Sequence, residues 1–207
     1  MVRKITATNT PKPRSSAKGS TKKKTAPARS PATAKSRTQG KTVKKAVSGS
    51  STVELKVGQK APAFSLPDQN GRIRRLSDFA GKKVVLYCYP KDDTPGCTRE
   101  SCDFRDGLDE IHDHGAVVLG ISADSVASHK KFAKKFTLKF PLLSDEEKTT
   151  LRAYGVWKEK SLYGRKFMGI ERTTFIINEQ GKIENIFQKV KVNGHLEEVL
   201  AELDVMP

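Results

Sequence analysis

The sequence predicts an α/β domain with a mixed central sheet, flanking helices and an N-terminal hairpin. Three observations carry that reading. Two apolar runs, Val84–Tyr89 and Ala116–Ile121, are short and nearly unbroken, as in strands covered on both faces. The segment after the first run switches to helical spacing, with Phe104, Leu108 and Ile111 at i, i+4 and i+7. Near the end, Thr173–Ile177 and Lys182–Val190 flank the turn Asn178-Glu179-Gln180-Gly181, and a helical pattern follows. Strands alternating with helices, closed by a hairpin and a helix, build a sheet with helices on both faces.

Each element has a local reason. Ordered structure is expected from Val53 onward. Phe64-Ser65-Leu66 gives a short extended entry, Asn70-Gly71 is a hairpin signal, and Arg72–Leu76 is the returning strand. Ser77-Asp78-Phe79 reads as a short helical turn. One helix is predicted from Pro95 to Gly115, where the glycine ends it. Ser125–Phe136 is amphipathic, with Phe132, Ala133 and Phe136 inward and Lys130, Lys131, Lys134 and Lys135 outward. Phe140–Leu143 reads as a short strand and Glu147–Tyr154 as a short helix. No regular element is assigned between Tyr154 and Thr173. The last helix, His195–Leu203, places Leu196, Val199, Leu200 and Leu203 on one face.

Charge divides the chain differently. Residues 1–52 carry 14 Lys and Arg and no acid, whereas residues 53–207 carry 25 basic and 23 acidic side chains. The net charge of +16 therefore belongs almost wholly to the first segment. Its Lys, Ser, Thr, Ala and Pro, without an aromatic residue, bury too little apolar surface to offset ordering entropy, so 1–52 is expected to be a disordered tail and 53–207 the folded domain. Lys22-Lys23-Lys24 and Lys44-Lys45, set among prolines, resemble linker-histone tails. Three uses fit: nucleic-acid contact by counterion release, a solubilising extension, or an organelle transit peptide. Against the last, Lys outnumbers Arg ten to four and no apolar face is present. An apolar run of about 18 residues is absent, so neither membrane insertion nor secretion is expected.

The cysteines carry the chemistry. Three in 207 residues are too few for a secreted disulfide scaffold and suit an intracellular protein. Thr94 suits an N-cap and Pro95 the first helical position, which puts Cys97 third. There, free backbone N–H groups and the helix dipole favour a thiolate. The Thr94 hydroxyl and the amides near Gly96 and Cys97 are candidate donors to a leaving oxygen. Cys102 lies about 140° around the helix, on a polar face between Ser101 and Asp103, with a Cα separation of roughly 8–9 Å from Cys97. A disulfide spans at most about 7 Å, so bonding these two requires the first turns to unwind. Cys88, inside the apolar strand, reads as core. Four-residue spacing with no further ligands argues against zinc, and no Cys-x-x-Cys is present. His112, His114, His129 and His195 have no evident catalytic partner and read as structural.

Pro90-x-x-x-Thr94-x-x-Cys97 resembles the peroxiredoxin active-site motif. The longer string Tyr89-Pro-Lys-Asp-Asp-Thr-Pro-Gly-Cys-Thr-Arg-Glu-Ser-Cys-Asp-Phe-Arg-Asp106 is similar to the peroxiredoxin Q, or bacterioferritin comigratory protein, group. The similarity runs from about Val57 to Leu203 and includes Gly120–Ser125 and Gly169–Phe175. It implies a thioredoxin-like fold and a thiol peroxidase needing no cofactor. It also implies that Cys97 is peroxidatic and Cys102 resolving, joined in an intramolecular disulfide that thioredoxin reduces. Pro90 would shield the pocket, Thr94 orient peroxide and Arg172 supply positive charge. By pattern alone Arg172 is one more surface cation. Cys88 departs from the aromatic or apolar residue usual in the group and is a candidate oxidation liability. A monomer is expected. Nuclear fungal relatives carry comparable Lys-rich extensions, so the compartment is nucleus if eukaryotic, cytoplasm or nucleoid if bacterial. The alternative reading is a chromatin- or DNA-associated redox sensor.

Overall fold

The computed structural model describes residues 53–162 and 164–205. The basic tail, with Lys22, Lys23, Lys24, Lys44 and Lys45, lies outside the described residues. Two short strands, β1 (Ser65–Pro67) and β2 (Ile73–Arg75), form the N-terminal hairpin, and a 3₁₀ turn follows at Leu76–Phe79. The hairpin turn needs Gly71, whose φ of +76° is costly for a residue with a Cβ. Asp68 fastens it, accepting hydrogen bonds from the backbone of Asn70 and Arg72 and from Arg74 Nε.

The central sheet has five strands: β3 (Lys83–Cys88), β4 (Ala116–Ser122), β5 (Leu142–Ser144), β8 (Thr173–Ile177) and β9 (Ile183–Gln188), in the order β5-β4-β3-β8-β9. Between β5 and β8 in the chain, β6 (Trp157–Leu162) and β7 (Arg165–Ile170) form a separate antiparallel ribbon. β3 runs parallel to β4 and antiparallel to β8, which makes the sheet mixed and puts β3 at its centre. Every residue of β3 is buried, Lys83 included, and from Val84 to Cys88 the run is apolar throughout.

Alternation along β3 splits the core into two. Val85, Tyr87 and Tyr89 face one cluster with Cys97, Phe104, Ile111, Phe132, Leu142, Val199 and Leu203. Val84, Leu86 and Cys88 face the other with Leu119, Ile121, Leu151, Tyr154 and Phe175. The first face is covered by α1 (Pro95–Asp106), α2 (Leu108–Asp113), α3 (Val126–Phe136) and α5 (His195–Val205); α4 (Thr149–Ala153) covers the second. Among the described residues, no helix is long and apolar enough to cross a membrane.

Two expectations need correction. The single helix from Pro95 to Gly115 is two, divided at Gly107. The apolar stripe Phe104, Leu108, Ile111 does continue across the division, and all three are buried. At the division a Cβ on Gly107 would sit 2.7 Å from Leu196 Cδ2, so α5 packs too closely there for a side chain at this position. The stretch left unassigned, Tyr154–Thr173, holds the β6–β7 ribbon. Its strands are Lys-rich and mostly exposed, so neither face shows the apolar alternation of a half-buried strand.

Candidate active site

The site is assembled where β3 ends and α1 begins. Pro90, two residues past the end of β3, is exposed. Thr94 takes the extended N-cap conformation (φ −94°, ψ 151°) and Pro95 the first helical position. The Thr94 hydroxyl does not cap the helix, however. It donates to the Lys91 carbonyl at 3.1 Å and so stiffens the loop instead. Cys97 follows as the third helical residue, 1% exposed. N–H groups of a first helical turn have no intrahelical acceptor, and the dipole adds positive potential there.

Arg172 is distant in sequence but reaches this sulfur from the neighbouring strand, since it directly precedes Thr173, which pairs with Cys88 at the end of β3. It stands between β7 and β8, held by Glu171 N donating to Val156 O at 2.8 Å and by Val190 N donating to its own carbonyl at 3.0 Å. An ion pair of Lys158 with Glu171 at 2.6 Å fastens the base of the ribbon beside it. Its Nη2 donates to Cys97 Sγ at 3.3 Å, and its Nη1 donates to Glu100 Oε2. The side chain is 15% exposed, so the surface role suggested by its position in sequence is wrong. Gly96 leaves room for it: a Cβ there would already touch Nη2 at 3.4 Å.

Glu100 was not singled out by sequence, being one polar residue of a mixed helix. It is 1% exposed, and its Oε1 is buried without a hydrogen-bond partner among the described residues. Burial pushes its carboxyl up to about 7, with the Arg172 guanidinium opposing the rise. Near neutral pH this group shares Arg172 with Cys97 as a part-ionised carboxylate.

The loop before Thr94 is clamped by residues that sequence reading also missed. Asp92 is buried and accepts hydrogen bonds from Tyr89 Oη (2.7 Å) and Ser128 Oγ (2.7 Å) and pairs with His129 Nδ1 (2.9 Å). The other ring nitrogen of His129, which is fully buried, faces the Leu143 carbonyl at 3.2 Å. Both ring nitrogens thus face oxygen partners, which fixes the ring between the Asp92 carboxylate and the Leu143 carbonyl. Burial raises the Asp92 carboxyl, but the hydrogen bonds and charge of His129 outweigh it and hold the group below the usual carboxylate range. Asp92 N also donates to Asp124 Oδ2 at 2.9 Å. What His129 supports, through Asp92, is the loop that carries Pro90 and Thr94.

The other two cysteines differ. Cys88 is 1% exposed, and burial pushes its thiol well above the ordinary range, so it stays protonated. Cys102 is half-buried, 3.6 Å from Arg105 Nη1. Ser101, expected beside it on a polar face, is fully buried and hydrogen-bonded to Tyr87 Oη at 3.0 Å. All three thiols are free and α1 is intact across Cys97 and Cys102. Among the described residues, no cluster of three or more His, Cys, Asp or Glu is placed to hold a metal ion.

A mixed sheet flanked by helices, with a buried cysteine at a helix start and a guanidinium on its sulfur, defines a thioredoxin-like thiol enzyme. Comparison with known proteins fixes the family. Residues 57–186 match the AhpC/TSA family. Over 151 residues the chain is 52% identical to a putative peroxiredoxin bcp of Coxiella burnetii, covering 73% of this chain and 100% of that one. It is 47% identical to peroxiredoxin Bcp of Escherichia coli, covering 70% and 94%. Among solved structures, it resembles the bacterioferritin comigratory protein of Xanthomonas campestris, studied for alkyl peroxide reduction, with 42% identity and a TM-score of 0.68, covering 72% of this chain and 98% of that one. The chain belongs to the AhpC/TSA family, in its Bcp or peroxiredoxin Q branch, and is a peroxiredoxin thiol peroxidase.

Proposed function

We propose that Cys97 is the peroxidatic cysteine, Cys102 the resolving one, and that Thr94, Arg172 and Pro90 serve the first step. The observation that carries this reading is the Arg172 Nη2 hydrogen bond to a buried sulfur in the first turn of α1. Negative charge on Cys97 is stabilised there from two directions. The thiolate attacks the outer oxygen of hydrogen peroxide or an organic hydroperoxide. The O–O bond breaks, Cys97 becomes a sulfenic acid, and the alkoxide or hydroxide leaves with a proton. Arg172 and the helix-start amides stabilise the charge passing to the leaving oxygen. Thr94, held by Lys91, orients the peroxide, and Pro90 at the rim shields the sulfur from bulk water.

Cys102 then captures the sulfenic acid as a disulfide. Straight helix geometry keeps the two Cα atoms roughly 8–9 Å apart, beyond disulfide reach, so the first turns of α1 open for this step. Family members act on peroxides with thioredoxin-type reductants, and we take thioredoxin itself as the dithiol that reopens the disulfide. The protein is read as a monomer. Its named bacterial relatives favour an intracellular, cytoplasmic setting and lend nothing to the nuclear one.

The decisive experiment is intact mass after one equivalent of peroxide. The native chain is expected to lose two hydrogens. Cys97→Ser should show no change and no turnover, and Cys102→Ser should gain one oxygen on Cys97. Turnover surviving Cys97→Ser sinks the assignment.

A second reading concerns residues 1–52, because that segment carries fourteen positive charges against +2 for the rest. We read it as a polyanion-binding tail that brings the peroxidase to nucleic acid, with Lys22, Lys23, Lys24, Lys44 and Lys45 contacting phosphates. Deleting it should leave peroxide turnover intact and abolish DNA binding that weakens steeply with salt. Equal DNA affinity in the shortened chain overturns this reading.

A further inference from the structure

We propose that Arg105 is a catalytic residue of the second step, holding the Cys102 sulfur as a thiolate ready to attack the Cys97 sulfenic acid. This rests on the reading of Cys102 as the resolving cysteine. The guanidinium is built into its position by three of its nitrogens. Nε and Nη2 donate in parallel to the two Asp106 carboxylate oxygens, at 2.8 and 3.0 Å. Nη1 donates to the Phe136 carbonyl at the end of α3, at 2.7 Å, and also to Cys102 Sγ at 3.6 Å. A planar fork gripped by a carboxylate on one edge has its remaining donors aimed without further adjustment. One of those donors falls on sulfur.

An N–H donated to sulfur at this distance is worth little to a thiol and considerably more to a thiolate, since the second interaction is between opposite charges. The attacking species in disulfide formation is the thiolate. Cys102 lies past the first turns of α1, at the eighth helical residue, and has little claim on the dipole that serves Cys97. Arg105 supplies what the dipole does not. In the step itself, the Cys102 thiolate attacks the Cys97 sulfur. The S–S bond forms as the S–O bond breaks, and hydroxide leaves with a proton from solvent as water. Cys102 is oxidised and the sulfenic sulfur reduced, so no further oxidant enters.

The Phe136 contact adds a direction to the motion. Phe136 belongs to α3, outside the helix that opens. Arg105 therefore pins the last turn of α1, and Cys102 with it, while the turn bearing Cys97 is the part that moves.

The test uses the full chain in single turnover, with sulfenic acid formation and disulfide formation read as separate phases. Arg105→Gln should slow the second phase about tenfold at pH 7, because the attacking thiolate loses the cation placed beside it. Raising the pH until the thiol ionises unaided should bring variant and native rates together. In a Cys97→Ser background, alkylation of Cys102 should slow by a similar factor at pH 7 and likewise converge. A slowdown that persists at alkaline pH assigns Arg105 to structure alone and overturns the proposal, as does a native rate at pH 7. If Arg105→Gln does not fold, Arg105→Lys decides. It keeps charge but cannot grip Asp106 and Phe136 together, so a smaller, pH-dependent slowing is expected and no slowing is refuting. Cys102→Ser separates the two claims: a second phase surviving that change removes the resolving role, and the proposal with it.

Discussion

Cys97 and Cys102 share one helix, and each meets a guanidinium that is itself held by a carboxylate. Arg172 bridges Glu100 and Cys97; Arg105 bridges Asp106 and Cys102. The surroundings then diverge. Cys97 and Glu100 are each 1% exposed, and the arginine arrives from 75 residues along the chain. Cys102 is half-buried, its arginine is three residues away, and Asp106 lies in solvent. The same three groups in a dry setting give a fixed charge at a fixed place, suited to a transition state that tolerates little displacement. In a wet setting they bias one protonation state and release easily. On the proposed roles of Cys97 and Cys102, the two sites are one device in two environments, matched to a rigid first step and a mobile second.

The largest expected effect tests the rigid side. His129→Leu takes the ion-pair partner from the buried Asp92 carboxylate, leaving it only the Tyr89 and Ser128 hydroxyls, and should cost about 3–5 kcal/mol in urea unfolding. A loss below about 1 kcal/mol would mean the loop before Cys97 is no more tightly held than the surroundings of Cys102. Next comes the arginine itself. Arg172→Gln should lower the rate of Cys97 with peroxide by about 10²–10³-fold while sparing the capture of any sulfenic acid that forms. Stopped-flow resolution of the two phases checks it, and slowing of both phases alike would collapse the distinction between the arginines.

Glu100 offers a pH signature that Asp106 cannot. Its folded carboxyl is raised from 4.5 to about 7, so the contribution to stability is full below 4.5 and lost as pH rises through 7. Native protein should lose on the order of 2–3 kcal/mol across that window, and Glu100→Gln should not. Parallel unfolding curves for the two proteins from pH 5 to 8 would refute this. Asp92 works the other way: lowered from 3.8, its contribution is present above that value and fades only in acid. The smallest effect belongs to Asp106→Asn, which should slow disulfide formation only a few-fold, since the pair is exposed and screened. Raised salt should mimic it in native protein, and a larger loss would place Asp106 on the rigid side.

Local chemistry was legible in sequence and distant chemistry was not. Thr94, Pro95 and Cys97 announce a helix start because capping preferences act within four residues. The position of Cys97 could therefore be read directly, although the threonine hydroxyl turned out to serve Lys91. Arg172, Glu100, Asp92 and His129 carry no such signal. Each matters through a partner 37 or 72 residues away, and only the fold brings them within hydrogen-bond reach. The resemblance to a known motif singled out Arg172 but left the other three unmarked. The β6–β7 ribbon was missed for a related reason. A ribbon with little buried on either face writes no hydrophobic period, and its value lies in placing Arg172 at its foot.

Gly107 carries a consequence for how the molecule breathes. It divides α1 from α2 at the contact with Leu196, so a hydrogen-bonded rod that would have run from Pro95 to Gly115 is cut to twelve residues. The opening of α1 proposed for the disulfide step would then go no further than this joint and would leave α2 seated on β4. In hydrogen exchange, the amides of the first turns of α1 should open well below the free energy of global unfolding, those of its pinned last turn later, while those of Ile111 and its neighbours exchange with the core.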